Sequence, residues 1–86
     1  MFVLSRDGNR LVNFNNVASI AIQSGTIYPD TMRWNIRAMY PAVSHDILYD
    51  TLGDYHTEAE CRNAFNKLCS RIVSGKDNEV IDMKDL

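Results

Sequence analysis

Two arginines and an asparagine at two-residue steps form the most suggestive polar pattern in this sequence. In an extended strand, Arg33, Asn35 and Arg37 would lie on one face over about 13 Å. Planar guanidinium groups can hold an anion, because their N–H forks pair bidentately with phosphate or carboxylate. Arginine and aromatic residues are also enriched at protein interfaces. Adding the nearby tyrosines, we predict five residues that bind a ligand or partner: Arg33, Asn35, Arg37, Tyr40 and Tyr49.

The two guanidinium groups on this strand are either free or already paired. If Arg33 and Arg37 pair across the sheet with Asp46 and Asp50, each pair only stabilises the sheet, by roughly 0.2–1 kcal/mol. If they are free, they can bind an anionic small molecule or a protein. The sequence leaves these three alternatives open.

The glycines, histidines and cysteines lack the neighbours that phosphate binding, catalysis or metal binding requires. The glycines are scattered instead of clustered before a helix, so they predict no phosphate-binding loop. His45 and His56 have no identifiable nucleophile beside them, and neither pairs with a cysteine at a metal-ligand spacing. Cys61 and Cys69 lie on one predicted helix about 12 Å apart, too far for a disulfide. We therefore predict no catalytic residues, no metal, no cofactor and no enzymatic activity.

The strand that carries the polar pattern is the clearest β element. Residues 32–40 alternate, with Met32, Trp34, Ile36, Ala38 and Tyr40 on the face opposite the arginines. Three further elements are predicted: a hairpin of residues 2–5 and 11–14 around Asp7-Gly8, a strand over 17–23 closed by Ser24-Gly25, and a strand over 46–52 that ends at Gly53. Whether Thr26-Ile27-Tyr28 adds a short extension to the second of these is left open. Short connections between these segments favour antiparallel pairing.

A capping box begins the predicted helix. Thr57 is followed three residues later by Glu60, so their side chains can each satisfy a free amide of the first turn. Apolar residues then recur at three- and four-residue steps up to Ile72. Gly75 is expected to end the helix in the left-handed conformation. The sequence thus predicts an amphipathic helix over residues 57–74.

Together these elements predict an α+β fold. We expect an antiparallel sheet of four or five strands, with one amphipathic helix in the C-terminal half packed on one face. Residues 1–75 would form a single domain, and 76–86 a tail that serves as an edge strand or as an arm exchanged between subunits. Because one helix covers only part of such a sheet, we also predict a homo-oligomer.

Composition restricts the class of protein. The 86 residues are 45% hydrophobic and 23% charged, which suits one globular domain. A net charge of −2 disfavours a nucleic-acid-binding protein or a membrane-surface binder. No apolar run approaches the roughly 18–20 residues of a membrane span, and residues 1–6 lack the order of a secretion signal. These features predict a cytoplasmic protein that does not bind membranes.

Three short segments carry a resemblance to a known group of proteins. They are the Asp-Gly hairpin, the Leu11-Val12-Asn13 and Asn16-Val17 element, and the Leu52-Gly53-Asp54-Tyr55-His56-Thr57-Glu58 entry to the helix. The layout resembles small phage- or prophage-encoded proteins over about residues 1–23 and 46–72. This resemblance implies a setting in which single-domain proteins act by binding. Such proteins block host defence complexes or sequester their nucleotide signals.

The first functional hypothesis is therefore a non-enzymatic binding module. It would be a phage-type accessory or anti-defence protein that binds a host protein. The alternative is an oligomeric sponge in which Arg33 and Arg37 hold a small anionic molecule, such as a cyclic-nucleotide immune signal.

Overall fold

A computed structural model describes residues 1–27, 31–41, 48–76 and 78–86. These residues form an α+β fold with one α-helix and two three-stranded sheets. In chain order the elements are β1 (Phe2–Leu4), β2 (Leu11–Asn13), β3 (Ser19–Ile27), β4 (Thr31–Met39), β5 (Tyr49–Tyr55), α1 (Glu58–Ser74) and β6 (Val80–Asp82). The α+β class is as predicted, but the single sheet of four or five strands is wrong.

The division into two sheets begins directly after β2. The Asn13 side chain accepts the Asn15 N–H at 3.0 Å, and residues Phe14–Asn16 turn as a short 3₁₀ helix. This turn takes the chain out of the first sheet before β3 begins. As a result, β1 pairs with β2 on one side and with β6 on the other, in the order β2-β1-β6, while β3, β4 and β5 form the second sheet.

The C-terminal segment supplies the third strand of the first sheet. Val80–Asp82 runs parallel to β1, with Ile81 opposite Val3, and occupies an edge of that sheet. Both Ile81 and Val3 are fully buried. An arginine of the helix, Arg71, holds the segment through a 2.6 Å ion pair with Glu79. This pair lowers the pKa of the Glu79 carboxyl.

The two outer strands of the second sheet, β3 and β5, pass through glycines that were expected to end them. β3 continues through Gly25, which lies opposite Arg33, to Ile27. β5 runs through Gly53, opposite Ile36, to Tyr55. Neither of these two glycines has a positive φ. The glycine that takes this conformation is Gly8, in the β1–β2 turn, with a φ of 76°. The predicted strand ends at Ser24-Gly25 and Gly53 are therefore wrong.

The helix begins as its sequence predicts but ends differently. The Thr57 hydroxyl accepts the Glu60 N–H at 3.2 Å, as expected for the N-cap. Gly75 has φ −77° and ψ 167°, which is extended and not left-handed. A Cβ at this position would lie 2.7 Å from the Arg71 carbonyl oxygen and would also meet Met1. Close packing against neighbouring atoms, not a positive φ, is the reason for glycine here.

Both sheets and the helix contribute to one buried core. Its fully buried large side chains are Val3, Ile36, Leu52, Cys61, Leu68, Ile81 and Met83. Ile20, Ile22, Trp34, Phe65 and Ile72 are only partly buried around it. The helix lies mainly across β4 and β5, which leaves the inner side of β3 less covered. No helix in the described ranges is long and apolar enough to span a membrane.

Candidate binding face

One side of the second sheet is free of the helix. Ile36 and Ala38 of β4 are fully buried beneath α1, so the alternate residues of β4 point the other way. We call this outward side the open face. Its members on β4 and β5 include Arg33, Asn35, Arg37, Met39, Tyr49, Thr51 and Asp54. The face therefore brings together four of the five predicted residues.

A β-bulge at Leu52 determines which side chains of β5 reach the open face. Arg37 lies opposite Thr51, but Ile36 lies opposite Gly53, so Leu52 has no partner of its own. The extra residue reverses the alternation of β5 after this point. Asp54 thereby lies opposite Asn35 on the open face. In an unbulged ladder Asp54 would share the buried face with Ile36.

Asp54 neutralises the first of the two arginines. The Arg33 guanidinium donates from Nε at 3.2 Å and from Nη2 at 2.9 Å to the same oxygen of Asp54. Its Nη1 lies 2.6 Å from Nδ1 of His56, which must accept because arginine only donates. Arg33 is thus paired with Asp54 and not with Asp50. Asp46 lies outside the described residues.

The second arginine is held by neutral groups. Arg37 donates from Nε to Oδ1 of Asn35 at 3.0 Å, and its guanidinium carbon lies 4.2 Å from the centre of the Tyr49 ring. Neither Nη group has a hydrogen-bond or ion-pair partner within the described ranges, and the side chain is half-buried. The amide nitrogen of Asn35 is likewise without a partner there. Arg37 and Asn35 therefore present a cluster of N–H donors beside a 45% exposed Tyr49.

Tyr40 is the predicted residue that the structure places elsewhere. It follows β4 on the opposite face from Arg37, where its hydroxyl donates to Asp50 at 2.5 Å. Asp50 also pairs with Arg10 at 3.1 Å. The structure does not show the alternative in which Arg37 pairs with Asp50, because Asp50 lies opposite Ala38 and faces away from the arginines.

The Tyr40–Asp50 hydrogen bond makes stability depend on pH at the alkaline end. This bond, together with partial burial and the Asp50 charge, raises the pKa of Tyr40 from 10.0 to about 12. Since the folded pKa is above the unfolded one, the stabilisation is complete below about pH 10 and is lost as the pH rises toward about 12. We expect the urea midpoint of the wild type to fall more steeply over this window than that of Tyr40→Phe. Parallel slopes for the two proteins would contradict this prediction.

Sequence reasoning missed two members of the site, Asp54 and His56. The even spacing of Asp50 and Asp54 would place both on one face of a regular strand, but the bulge separates them. A glycine within a strand is a known sign of a bulge. The presence of Gly53 in this segment could therefore have indicated the bulge, and with it the position of Asp54 beside Arg33.

The remaining chemistry-bearing groups do not converge. In the part of the chain that the structure describes, no three residues of the His, Cys, Asp and Glu types are close enough to hold a metal ion. Cys61 and Cys69 are free thiols, and burial raises the pKa of Cys61, which disfavours the reactive thiolate. A comparison with known protein families, curated proteins and solved structures finds none that matches this chain.

Proposed function

We propose that this protein is a non-enzymatic binding module that recognises a protein partner with its open face, centred on Arg37 and Tyr49. The observation that carries the proposal is the state of Arg37. Its guanidinium is fixed against the Tyr49 ring and by Asn35, yet both Nη groups lack a partner within the described ranges. An arginine already held in place loses little side-chain entropy when it binds, which favours affinity.

The chemistry of this centre defines the partner's surface. The Nη groups of Arg37 and the amide nitrogen of Asn35 only donate hydrogen bonds, so they suit a carboxylate. Tyr49 offers an exposed aromatic ring next to them, and Met39 lies opposite it in the ladder. We therefore expect the partner to present an aspartate or glutamate beside apolar side chains.

Arg33 supports this interpretation over capture of a highly charged small molecule. A ligand held by both arginines would have to compete with Asp54 for the Arg33 guanidinium. The open face is also one side of a sheet, whereas small-molecule sites are concave and surround most of the ligand. A protein partner needs only Arg37, Asn35 and Tyr49 to be available.

Retention of proteins on the immobilised chain tests the proposal. Lysate of the source cell is passed over the wild type, over Arg37→Ala/Tyr49→Ala, and over Asn63→Ala/Ser70→Ala as a matched control on the exposed side of α1. We expect the wild type and the control to retain the same protein and the open-face variant to lose it. Retention of nothing above background, or equal retention by all three, would contradict the proposal.

The resemblance to phage-encoded proteins suggests the identity of the partner. On that basis the retained protein would be a host protein, and the role that of an accessory or anti-defence factor. Retention of a host defence component by the wild type alone would support this part of the proposal.

A small anionic ligand is the second candidate, because the donors of Arg37 and Asn35 suit phosphate as well as carboxylate. Thermal shift against a panel of cyclic nucleotides separates the two functions. A ligand at a hundred times its dissociation constant would stabilise the fold by about 2.7 kcal/mol. The protein-binding proposal expects no shift, whereas a shift that is lost in Arg37→Ala would favour the ligand.

A further inference from the structure

The outer edge of β3 is a long strand edge for which the described part of the chain supplies no partner strand. β3 is the terminal strand of its sheet, in the order β3-β4-β5, and no described strand pairs with its outer side. Its nine residues leave a row of backbone N–H and C=O groups to solvent. Such an edge is a ready template for pairing with another strand.

An apolar groove of about 340 Å³ lies beside the first residues of this edge. It exists because α1 lies mainly over β4 and β5 and leaves the inner side of β3 partly uncovered. The apolar groups that line it include Phe14, Val17, Ile20, Cys69, Ile72 and Val73. Val73 is 87% exposed, although it is a hydrophobic residue on the last turn of the helix.

Charge distinguishes β3 from the other long edge. The sequence has no charged residue between Arg10 and Asp30, so the whole of β3 is uncharged. β5, the opposite edge of the same sheet, carries Asp50 and Asp54. Natural edge strands are commonly protected by charges, prolines or bulges, and β3 has none of these in Ser19–Ile27.

We infer that β3 pairs with β3 of a second copy of this chain, in antiparallel orientation about a two-fold axis perpendicular to the sheet. A two-fold axis brings like residues close together, so an uncharged strand can self-pair where a charged one is repelled. Pairing of β5 with itself would instead bring Asp50 and Asp54 toward their own copies. The charge pattern thus selects a second copy as the occupant, and β3 as the edge.

The same axis places each groove beside the partner strand. It keeps both helices on the same side of a continuous six-stranded sheet. Because the paired strands run antiparallel, the groove beside the first residues of one β3 lies next to the later residues of the other. Ile20 would then gain neighbours on the partner strand. Edge hydrogen bonds alone bury little area, and apolar contacts between each groove and the partner strand would add to it.

This inference goes beyond the proposed partner binding and does not depend on it. The dimer would also join the two open faces into one surface, with Arg37 and Tyr49 present twice. A partner with two acidic sites could then bind both copies, with a gain in avidity.

Double substitutions that introduce charge on β3 test the inference, with size-exclusion chromatography and light scattering as the measurement. Ser19 and Gln23 are exposed on the open-face side, opposite the uncharged Met39 and Asn35. We expect the wild type at micromolar concentration to have twice the 9.8 kDa mass of one chain. Ser19→Lys/Gln23→Lys and Ser19→Glu/Gln23→Glu should each have the mass of one chain, because like charges then face each other within about one Debye length.

Mixing the two variants decides whether repulsion at β3 is the cause. A one-to-one mixture of the lysine and glutamate variants should recover the two-chain mass. Asn63→Lys/Ser70→Lys adds the same charge on the exposed side of α1 and should remain dimeric. A wild type of single-chain mass, variants that stay dimeric, or a mixture that stays monomeric would each overturn the inference. None of these outcomes alters the retention test of Arg37 and Tyr49.

Discussion

Replacement of Gly53 by alanine is expected to lower the free energy of unfolding by about 1–3 kcal/mol. A Cβ on Gly53 would lie 2.7 Å from the Tyr55 hydroxyl oxygen and 2.8 Å from a ring carbon. The Tyr55 ring cannot move away cheaply, because it is 4% exposed and the Arg6 guanidinium lies 4.5 Å from its centre. Urea unfolding of the two proteins measures the difference.

Gly25→Ala is the matched control for this substitution. Gly25 also lies within a strand of the same sheet, but a Cβ there meets no atom within 4 Å, and its φ is not positive. Alanine reduces the freedom of the unfolded chain, so this variant should be neutral or more stable by about 0.4–1 kcal/mol. Equal losses in the two variants would show that close packing at Gly53 is not the cause.

Replacement of Tyr49 by alanine is expected to weaken binding of the retained protein partner by about 30-fold or more, which corresponds to about 2 kcal/mol. The change removes an exposed aromatic contact and also the ring that holds the Arg37 guanidinium in place. Isothermal titration calorimetry with the purified partner measures the dissociation constants.

Tyr49→Phe separates the ring from the hydroxyl. It retains the aromatic face beneath Arg37, so we expect its affinity to remain within about 3-fold of the wild type. An unchanged affinity for Tyr49→Ala would remove Tyr49 from the binding centre. A loss in Tyr49→Phe as large as in Tyr49→Ala would assign the effect to the hydroxyl.

Local patterns in the sequence were sufficient to predict several elements. The alternation of residues 32–40 predicted β4 and the side on which its arginines lie. The Thr57–Glu60 spacing predicted the start of the helix. These predictions succeed because the burial of one strand face and the satisfaction of a helix terminus depend on residues close together in the chain.

Features that depend on distant residues were not predictable in the same way. The parallel pairing of β6 with β1 joins segments from opposite ends of the chain, and no local pattern encodes it. The bulge at Leu52 moves Asp54 to the open face. Because of this one extra residue in β5, Asp54 is the carboxylate that neutralises Arg33. The sequence thus predicted a strand face with two arginines but could not show that Arg33 is the one that pairs with Asp54.

The relative loss of affinity in Arg37→Ala and Arg33→Ala tests the central claim most directly. Both variants lose one guanidinium from the same strand face, but among the described residues only Arg33 is paired with a carboxylate. For the retained partner, we expect a loss of about 10-fold or more in Arg37→Ala and of less than about 3-fold in Arg33→Ala. Equal losses, or a larger loss in Arg33→Ala, would contradict a binding face centred on Arg37.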